Sequence, residues 1–568
     1  MGRVVVASIS VILVVGVVIG VVATVSRGSD GNGKENNGGL ATGLKAVETL
    51  CGPTEYKDVC MKTLSPIAEK NSNASPKDLM KSTFEAAFNE VNKALEKSTS
   101  LGNGVTNSSY DKLSMGGCKE VMDYAGYSLR KAILKVSKTE IWSLGQLSED
   151  LNTWLSSVLA YKSTCLDEIE NPELKKAMED ALQDTNKITA NALGIIEEVS
   201  KFLSKINFTI PSFEDLKKNS RRLLSADGYP TWFSAADRKL LAARSGNQQV
   251  KPNVVVAKDG SGQFKTISEA IAAYPKNHRG RFVIYVKAGI YKEYVTVPQK
   301  AINVYMYGDG PRKTIVTGDK NFAINGINTM NTATFAAIGD GFIARSMAFQ
   351  NTAGAAGHQA VALRVASDMS AFYNCRIDGY QDTLYYHAQR SFYRNCVISG
   401  TIDFIFGKGT ALIQNSKIIV RMGAPNQFNT VTADGRENKL MRTGLVIQNC
   451  NIVADARLHP QRLTYKSYLG RPWKQFAKTM VMESVISDVI NPDGWTIWNP
   501  TDPNSDLSEI REYRNTGVGG NTNRRVKWKG LQLVTDRRVA EQYTAGPFFD
   551  GGKWIPATGG PFTLGLRR

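Results

Sequence analysis

An asparagine returns at a near-constant interval through the C-terminal half of this 568-residue chain. It closes the triplets Phe349-Gln350-Asn351, Phe372-Tyr373-Asn374, Tyr393-Arg394-Asn395, Ile413-Gln414-Asn415 and Ile447-Gln448-Asn449, at intervals of 23, 21, 20 and 34 residues. Repeats of this length are the mark of a solenoid, whose single unit cannot bury its apolar side alone. Short β-branched and aromatic runs precede the triplets, such as Phe282-Val283-Ile284-Tyr285-Val286 and Val304-Tyr305-Met306-Tyr307. No leucine ladder accompanies them, so the expected solenoid is a parallel β-helix. An asparagine at a bend bonds to free backbone groups, and stacking repeats that bond from coil to coil. These asparagines are structural.

A second set of polar residues keeps step with the same repeat. Asp382, in Gly379-Tyr380-Gln381-Asp382-Thr383-Leu384-Tyr385, precedes Asp403, in Thr401-Ile402-Asp403-Phe404-Ile405-Phe406-Gly407, by 21 residues, and Gln359 precedes Gln381 by 22. Coils stack about 4.8 Å apart, so a held register makes the two aspartates neighbours. Two carboxylates that close do not both ionise easily, which suits one as a proton donor and the other as an anion. On spacing alone, a pair of turn aspartates on a solvated ridge is the favoured reading.

The N-terminal part has another texture. Val4 to Val25 is 22 residues without a charge, between Arg3 and Arg27. A bilayer span needs about 20 apolar residues, and the apolar region of a signal peptide is ~7–15. Residues 1–26 therefore read as a signal-anchor or signal peptide, with length favouring the anchor, and both send the chain into the secretory pathway. Residues 27–44, rich in Gly and Asn, read as a polar stalk. From 45 to 210 apolar residues recur at helical spacing, as in Leu79, Phe84, Phe88, Val91 and Leu95, and an antiparallel helical bundle follows. Cys51, Cys60, Cys118 and Cys165 lie there, enough for two disulfides in an oxidising compartment, whereas Cys375, Cys396 and Cys450 are odd in number. Asn73, Asn107 and Asn207 each open a glycosylation sequon. Residues 211–250 form a linker with two near copies of one signal, Arg221-Arg222-Leu223-Leu224 and Arg238-Lys239-Leu240-Leu241. Exposed dibasic sites in such a linker are cleavable. The solenoid then occupies 251–568.

The net charge of +18 is concentrated in the solenoid, where residues 251–568 hold 40 Lys and Arg against 23 Asp and Glu, an excess of +17. A basic secreted protein seldom meets nucleic acid, so an acidic polysaccharide is the fitting partner. Metal chemistry has little support: there is no Cys-x-x-Cys and only four histidines.

Five ordered motifs carry a resemblance. They are Gly289-Ile290-Tyr291-Lys292-Glu293, Gly357-His358-Gln359-Ala360-Val361-Ala362-Leu363-Arg364, the Asp382 and Asp403 segments above, and Leu469-Gly470-Arg471-Pro472-Trp473. Residues 250–565 resemble plant pectin methylesterases, and the helical half resembles the pectin methylesterase inhibitor domain. The resemblance implies a right-handed parallel β-helix that de-esterifies methylated polygalacturonan without a cofactor. It implies Asp403 as nucleophile, Asp382 as general acid and then base, and Gln381 with Gln359 as donors to the oxyanion. It implies that Arg471 holds Asp403 through a charge-assisted bond, and that Thr329 and Trp473 bind the sugar chain. Tyr385, Phe406 and Trp495 are expected to line the cleft as stacking aromatics, with core packing as the alternative. The inhibitor-like half implies pairing of Cys51 with Cys60 and Cys118 with Cys165. The implied partners are pectin, proteinaceous pectinesterase inhibitors and a processing protease, with a membrane touched only by the N-terminal segment and the mature enzyme in the cell wall.

Three positions depart from that pattern. Met330 stands where a Phe often follows the binding Thr, Asp434 replaces a usual Gln, and Ser416 replaces a frequent Cys that would partner Cys450. A β-helix pectate lyase or polygalacturonase is the rival enzyme, and a pectin-binding wall protein or inhibitor precursor the rival without catalysis. A lyase needs calcium carboxylates and a hydrolase needs paired acids at a glycosidic bond. No Gly-x-Ser-x-Gly occurs, which argues against a serine nucleophile.

The dibasic linker generates a prediction. Changing Arg238 and Lys239 to Ala should leave more full-length protein in the secretory pathway. Terminal sequencing of wall-extracted protein should find a start just after Leu241, and a start near residue 45 would contradict it.

Overall fold

The computed structural model describes residues 37–105, 108–207 and 251–567. The apolar segment, the four dibasic residues Arg221, Arg222, Arg238 and Lys239, and Asn107 lie outside them. Among the described residues no helix is long and apolar enough to cross a membrane. The chain divides into two compact units.

The first unit is helical. Its helices are α1 Asn37–Cys51, α2 Lys57–Lys70, α3 Pro76–Gly104, α4 Ser109–Ser137 from Cys118 onward, α5 Ser148–Asp167 and α6 Pro172–Asn207. The expected stalk is shorter than its composition suggests, because α1 starts at Asn37. Past the glycines, Leu40, Leu44 and Val47 recur at helical spacing and outweigh the local Gly content. Ser75 and Asp78 form a capping box, with the Asp78 N–H donating to Ser75 Oγ at 3.2 Å, and this fixes where α3 begins. Along α3, Leu79, Phe84 and Val91 are buried, with Phe88 and Leu95 half-buried beside them. Asn191 ties α6 to the segment before α2: its Oδ1 accepts from the Tyr56 N–H and its Nδ2 donates to the Tyr56 carbonyl, both at 2.9 Å. The disulfides join Cys51 to Cys60 and Cys118 to Cys165, as the resemblance implies.

The second unit is a parallel β-helix. Its strands fall into sheets of eleven, seven and eight, all parallel, and each sheet takes every third strand in turn except at the two ends of the eleven-stranded sheet. Through the central coils, chain order and sheet order are thus the same statement: each coil lays one strand on each face. Inside, like residues stack on like. Tyr291, Val316, Phe349, Ile377, Ile398, Ile418, Ile452 and Ile486 form one unbroken column in register. Phe372 and Tyr393 stack with centroids 4.9 Å apart. All ten side chains are essentially inaccessible, and at ~1.5–3 kcal/mol per large apolar side chain this column alone is a major source of stability. Cys375, Cys396 and Cys450 are buried free thiols.

The outer face of the eleven-stranded sheet is covered by the C-terminal segment. Phe548, Phe549, Trp554 and Ile555 pack onto Ile343, Phe392, Leu412, Val446 and Met480.

The asparagine repeat marks the bend into the eight-stranded sheet. Asn374, Asn395, Asn415 and Asn449 sit there with φ of 50°, 54°, 50° and 54°. Asn351 does not belong to the row. It lies in the strand Ala348–Asn351, and Ser346, with φ of 55°, holds the bend of that coil. The 23-residue interval therefore joined two different positions of the coil. Asn side chains link the bends: Asn374 Nδ2 donates to Ser346 Oγ at 3.0 Å, and Asn449 Nδ2 donates to Asn415 Oδ1 at 2.7 Å.

A left-handed φ costs an ordinary L-residue about 1–2 kcal/mol, less for Asn and nothing for Gly. Asn415→Ala should therefore lower the stability of the β-helix by about 1–2 kcal/mol in urea unfolding, and Asn415→Gly by clearly less. Equal losses would show that the side-chain bond, and not the backbone, governs the position.

Candidate active site

The turn from the eight-stranded into the seven-stranded sheet carries the polar set. Gln359 and Gln381 pair across adjacent coils as an isolated parallel bridge. The strands that follow align Leu384 with Ile405, so Asp382 and Asp403, each two residues earlier, occupy matching places one coil apart. Both have left-handed backbones, φ 61° and 47°, and both are buried. Such conformations cost of order 1–3 kcal/mol and persist where the surroundings over-determine them. Here the next coil does so. The Asp382 N–H donates to the Ile402 carbonyl at 3.0 Å, and the Asp403 N–H donates to Thr430 Oγ1 at 2.8 Å.

Arg471 fixes the Asp403 carboxylate. Its Nε donates to Oδ1 at 2.9 Å and its terminal nitrogen to Oδ2 at 2.6 Å, a bidentate pair. Burial works against the Arg471 cation, while the charges of Asp403 first and Asp382 after it favour the cation and carry its pKa above the usual arginine value. The guanidinium also lies 4.2 Å over the Trp498 ring and donates to the Trp498 carbonyl at 3.3 Å. Thr430 completes the hold on Asp403, donating its hydroxyl to Oδ1 at 2.7 Å. Thr430 and Trp498 are absent from the sequence-derived set. Thr430 escapes because its coil is longer, 27 residues from Asp403 instead of 21.

The two glutamines are not spent on the fold. The side-chain oxygens of Gln359 and Gln381 are buried and bonded to no group among the described residues. Tyr385 and Phe406 pair one coil apart on the same sheet, rings stacked with centroids 4.4 Å apart, in an apolar cluster with Val361 and Ala433 that Trp473 and Trp498 border. The Lys408 ammonium sits 4.1 Å over the Trp473 ring. Gly435 leaves room for that indole, since a Cβ there would fall 2.6 Å from the Trp473 ring. Thr329 opens a short 3-10 turn, Thr329–Thr332, and is half-buried. Trp495 is not a cleft residue. It belongs to the interior of the coil stack, 1% exposed, with its Nε1 donating to Glu512 at 3.0 Å. A buried acceptor inside the coil claims the indole N–H and turns the ring inward.

The arrangement offers an anchored carboxylate, a second carboxylate one coil away and two uncommitted amides. Those are the parts of an acyl-transfer site.

Asp434 ends the strand Asn429–Asp434 beside this site. Its carbonyl accepts the Trp473 N–H at 3.0 Å. Its carboxylate accepts from the Lys478 N–H at 2.7 Å, the Arg436 N–H at 3.2 Å and the Tyr386 hydroxyl at 3.0 Å. Burial outweighs these donors and the Arg436 charge, and lifts its pKa from 3.8 to about 6. A raised carboxyl pKa means that the folded state binds the proton more tightly than the unfolded chain. Stability is then lost as pH rises from about 4 to about 6, by roughly 3 kcal/mol at 1.36 kcal/mol per pH unit. Asp434→Asn should flatten that part of the stability–pH curve, as read by denaturant midpoints. An unchanged slope would contradict the assignment.

Known proteins share this geometry's sequence. The Pectinesterase family model matches residues 253–552, and the plant invertase/pectin methylesterase inhibitor model matches residues 45–195. A probable pectinesterase/pectinesterase inhibitor 13 of Arabidopsis thaliana is 45% identical over 525 residues, spanning 92% of this chain and 83% of that protein. Pectinesterase 4 of the same plant is 39% identical over 599 residues, covering 100% of both. Among solved structures, pectin methylesterase from carrot is 50% identical, with a TM-score of 0.55 over 56% of this chain and 100% of that one. The chain belongs to the pectinesterase family, and it carries an inhibitor-family helical unit ahead of its β-helix.

Proposed function

We propose that the β-helix hydrolyses the methyl esters of homogalacturonan with Asp403 as nucleophile. The observation that carries this is the bidentate Arg471–Asp403 pair, set one coil from Asp382 in matched register. An Asp403 oxygen attacks the ester carbonyl carbon, and the carbonyl electrons move onto its oxygen. Gln381 and Gln359 donate N–H bonds to that oxyanion. The tetrahedral species collapses, the C–O bond to methoxide breaks, and Asp382 supplies the proton that makes methanol. The galacturonyl group is now joined to Asp403 as an anhydride. Asp382, as carboxylate, takes a proton from water, whose oxygen attacks the galacturonyl carbonyl. Asp403 leaves as carboxylate with Asp382 again protonated, the galacturonic acid loses its own proton to solvent, and the products are methanol, a charged galacturonate and a proton. Arg471 orients Asp403 and balances its charge before attack and again as it leaves, and Thr430 fixes its rotation.

Trp473 and Thr329 bind the sugar chain, with the Tyr385–Phe406 pair as the apolar wall behind them. The inhibitor-like helices restrain the enzyme before a protease removes them at the dibasic linker. The precursor travels the secretory pathway, held by or cleaved from residues 4–25, and the mature protein acts in the cell wall, where separate inhibitor proteins meet it. Asn73 is exposed at a turn, a position open to a glycan.

The test is methanol release from methylated polygalacturonan, by the full chain and by the segment after Leu241, with chain length followed in parallel. Methanol without chain shortening is expected. Removal of one oxyanion donor by Gln381→Ala should lower kcat by ~10²–10³. Shortened chains, or a Gln381→Ala enzyme of normal kcat, would overturn the reading.

A further inference from the structure

Each face of the coil stack has its own fate. The eleven-stranded face is covered by the C-terminal segment, and the seven-stranded face carries the candidate active site. The eight-stranded face carries a groove. Two cavities of about 410 Å³ each lie on it and share Gln350, Arg376 and Asp378. Together they make one groove from Arg312, before the strand Thr314–Gly318, to Asp455, after the strand Asn451–Ala454. Six strands cross beneath it, so five intervals of about 4.8 Å give a length of about 24 Å.

The register sorts the groove into two outward columns. One runs Ile315, Ala348, Arg376, Val397, Lys417, Asn451, and the other runs Thr317, Gln350, Asp378, Ser399, Ile419, Val453. Apolar floor therefore alternates with polar and cationic side chains along its length. The charges are unequally available. Asp378 is already engaged by Arg376 and by the Ser399 hydroxyl at 2.6 Å. Asp455 is engaged by the N–H groups of Arg457 and Leu458 at 3.1 and 2.7 Å. Arg312 and Lys417 are exposed and have no carboxylate partner among the described residues. The uncompensated charge of the groove is positive.

The groove also reaches the catalytic turn. Arg421 lies 3.9 Å over the Tyr380 ring and donates to the Gly379 carbonyl at 2.7 Å. Gly379 and Tyr380 directly precede Gln381 and Asp382. A polymer bound along the eight-stranded face thus meets the active site at its rim.

We propose that the groove over the eight-stranded sheet is a second binding site, for the acidic, de-esterified segment of polygalacturonate. The inference rests on the pectinesterase reading. Each turnover converts a neutral ester into a carboxylate, so the reaction makes the ligand that a cationic groove prefers. The sugar-ring C–H faces match the Ile315, Ala348, Ile419 and Val453 floor, and the new carboxylates match Arg312 and Lys417. A chain held there keeps its next methylated stretch near Asp403, and successive esters on one chain are removed before release.

The test uses the full chain and the double variant Arg312→Glu/Lys417→Glu, with fully de-esterified polygalacturonate as probe and highly methylated pectin as control. Charge reversal should weaken polygalacturonate binding about tenfold at 0.1 M salt. The gap should close towards 1 M salt, where the screening length falls from about 10 Å to about 3 Å. Binding of the methylated control, and kcat for methanol release from a short methylated oligosaccharide, should stay unchanged. Methyl groups left on partly processed pectin should shift from blocks towards a scatter. Unchanged polygalacturonate binding would overturn the proposal, and so would an equal loss on the methylated control. Arg312→Gln/Lys417→Gln should show the same trend with a smaller effect, and a thermal unfolding midpoint equal to wild type excludes misfolding as the cause. Wild-type failure to release methanol would instead sink the pectinesterase reading.

Discussion

The structure depends on register between coils. In a parallel solenoid every backbone group is paired with the coil above or below, so a strand that slips by one residue turns its whole side-chain set to the other face. The bends prevent that slip. Their left-handed backbones at Asn374, Asn395, Asn415 and Asn449 recur coil after coil, and each is locked by stacking on the last. The interior isoleucine column and the Asp382–Asp403 alignment are then two readings of one constraint. The same register that places Ile377, Ile398 and Ile418 in one column puts the two aspartates in matching places. Precision at the site is inherited from the scaffold and needs no dedicated loop.

Electrostatics set the roles within that alignment. The Arg471 and Asp403 side chains are 16% and 7% exposed, a nearly desolvated pair. Removing either partner of such a pair leaves a buried charge and typically costs 3–5 kcal/mol. The bidentate geometry therefore commits Arg471 to one carboxylate and distinguishes Asp403 from Asp382, though their backbone environments are alike. Outside the site, the excess of +17 on the β-helix finds a use once the product of catalysis is an anion. Arg312 and Lys417 place part of that excess where a polymer leaving the site can reach it.

Much of this was legible from spacing. The 21-residue offset between Asp382 and Asp403 equals one short coil, and the strand register confirms it. The helical spacing of Leu79, Phe84 and Val91 became the buried side of α3. What escaped has physical reasons. Thr430 and Arg471 reach Asp403 across longer coils, so no interval in the sequence points to them; Arg471 entered through its motif. Trp495 looked like a cleft aromatic because composition cannot say which side of a coil a residue faces, and a buried glutamate decided it. Asn351 fell into the repeat by letter and not by place. The groove over the eight-stranded sheet was invisible because its two columns draw single residues from six separate strands.

The central claim is that Asp403 is the nucleophile and Asp382 its proton carrier. Methanol release by Asp403→Asn on methylated polygalacturonan tests it most directly, alongside a urea unfolding curve. An amide of the same shape keeps the packing but is a poor nucleophile, so the account predicts release at the level of the uncatalysed reaction from a folded protein. Near-normal turnover by a pure, folded Asp403→Asn enzyme would contradict it.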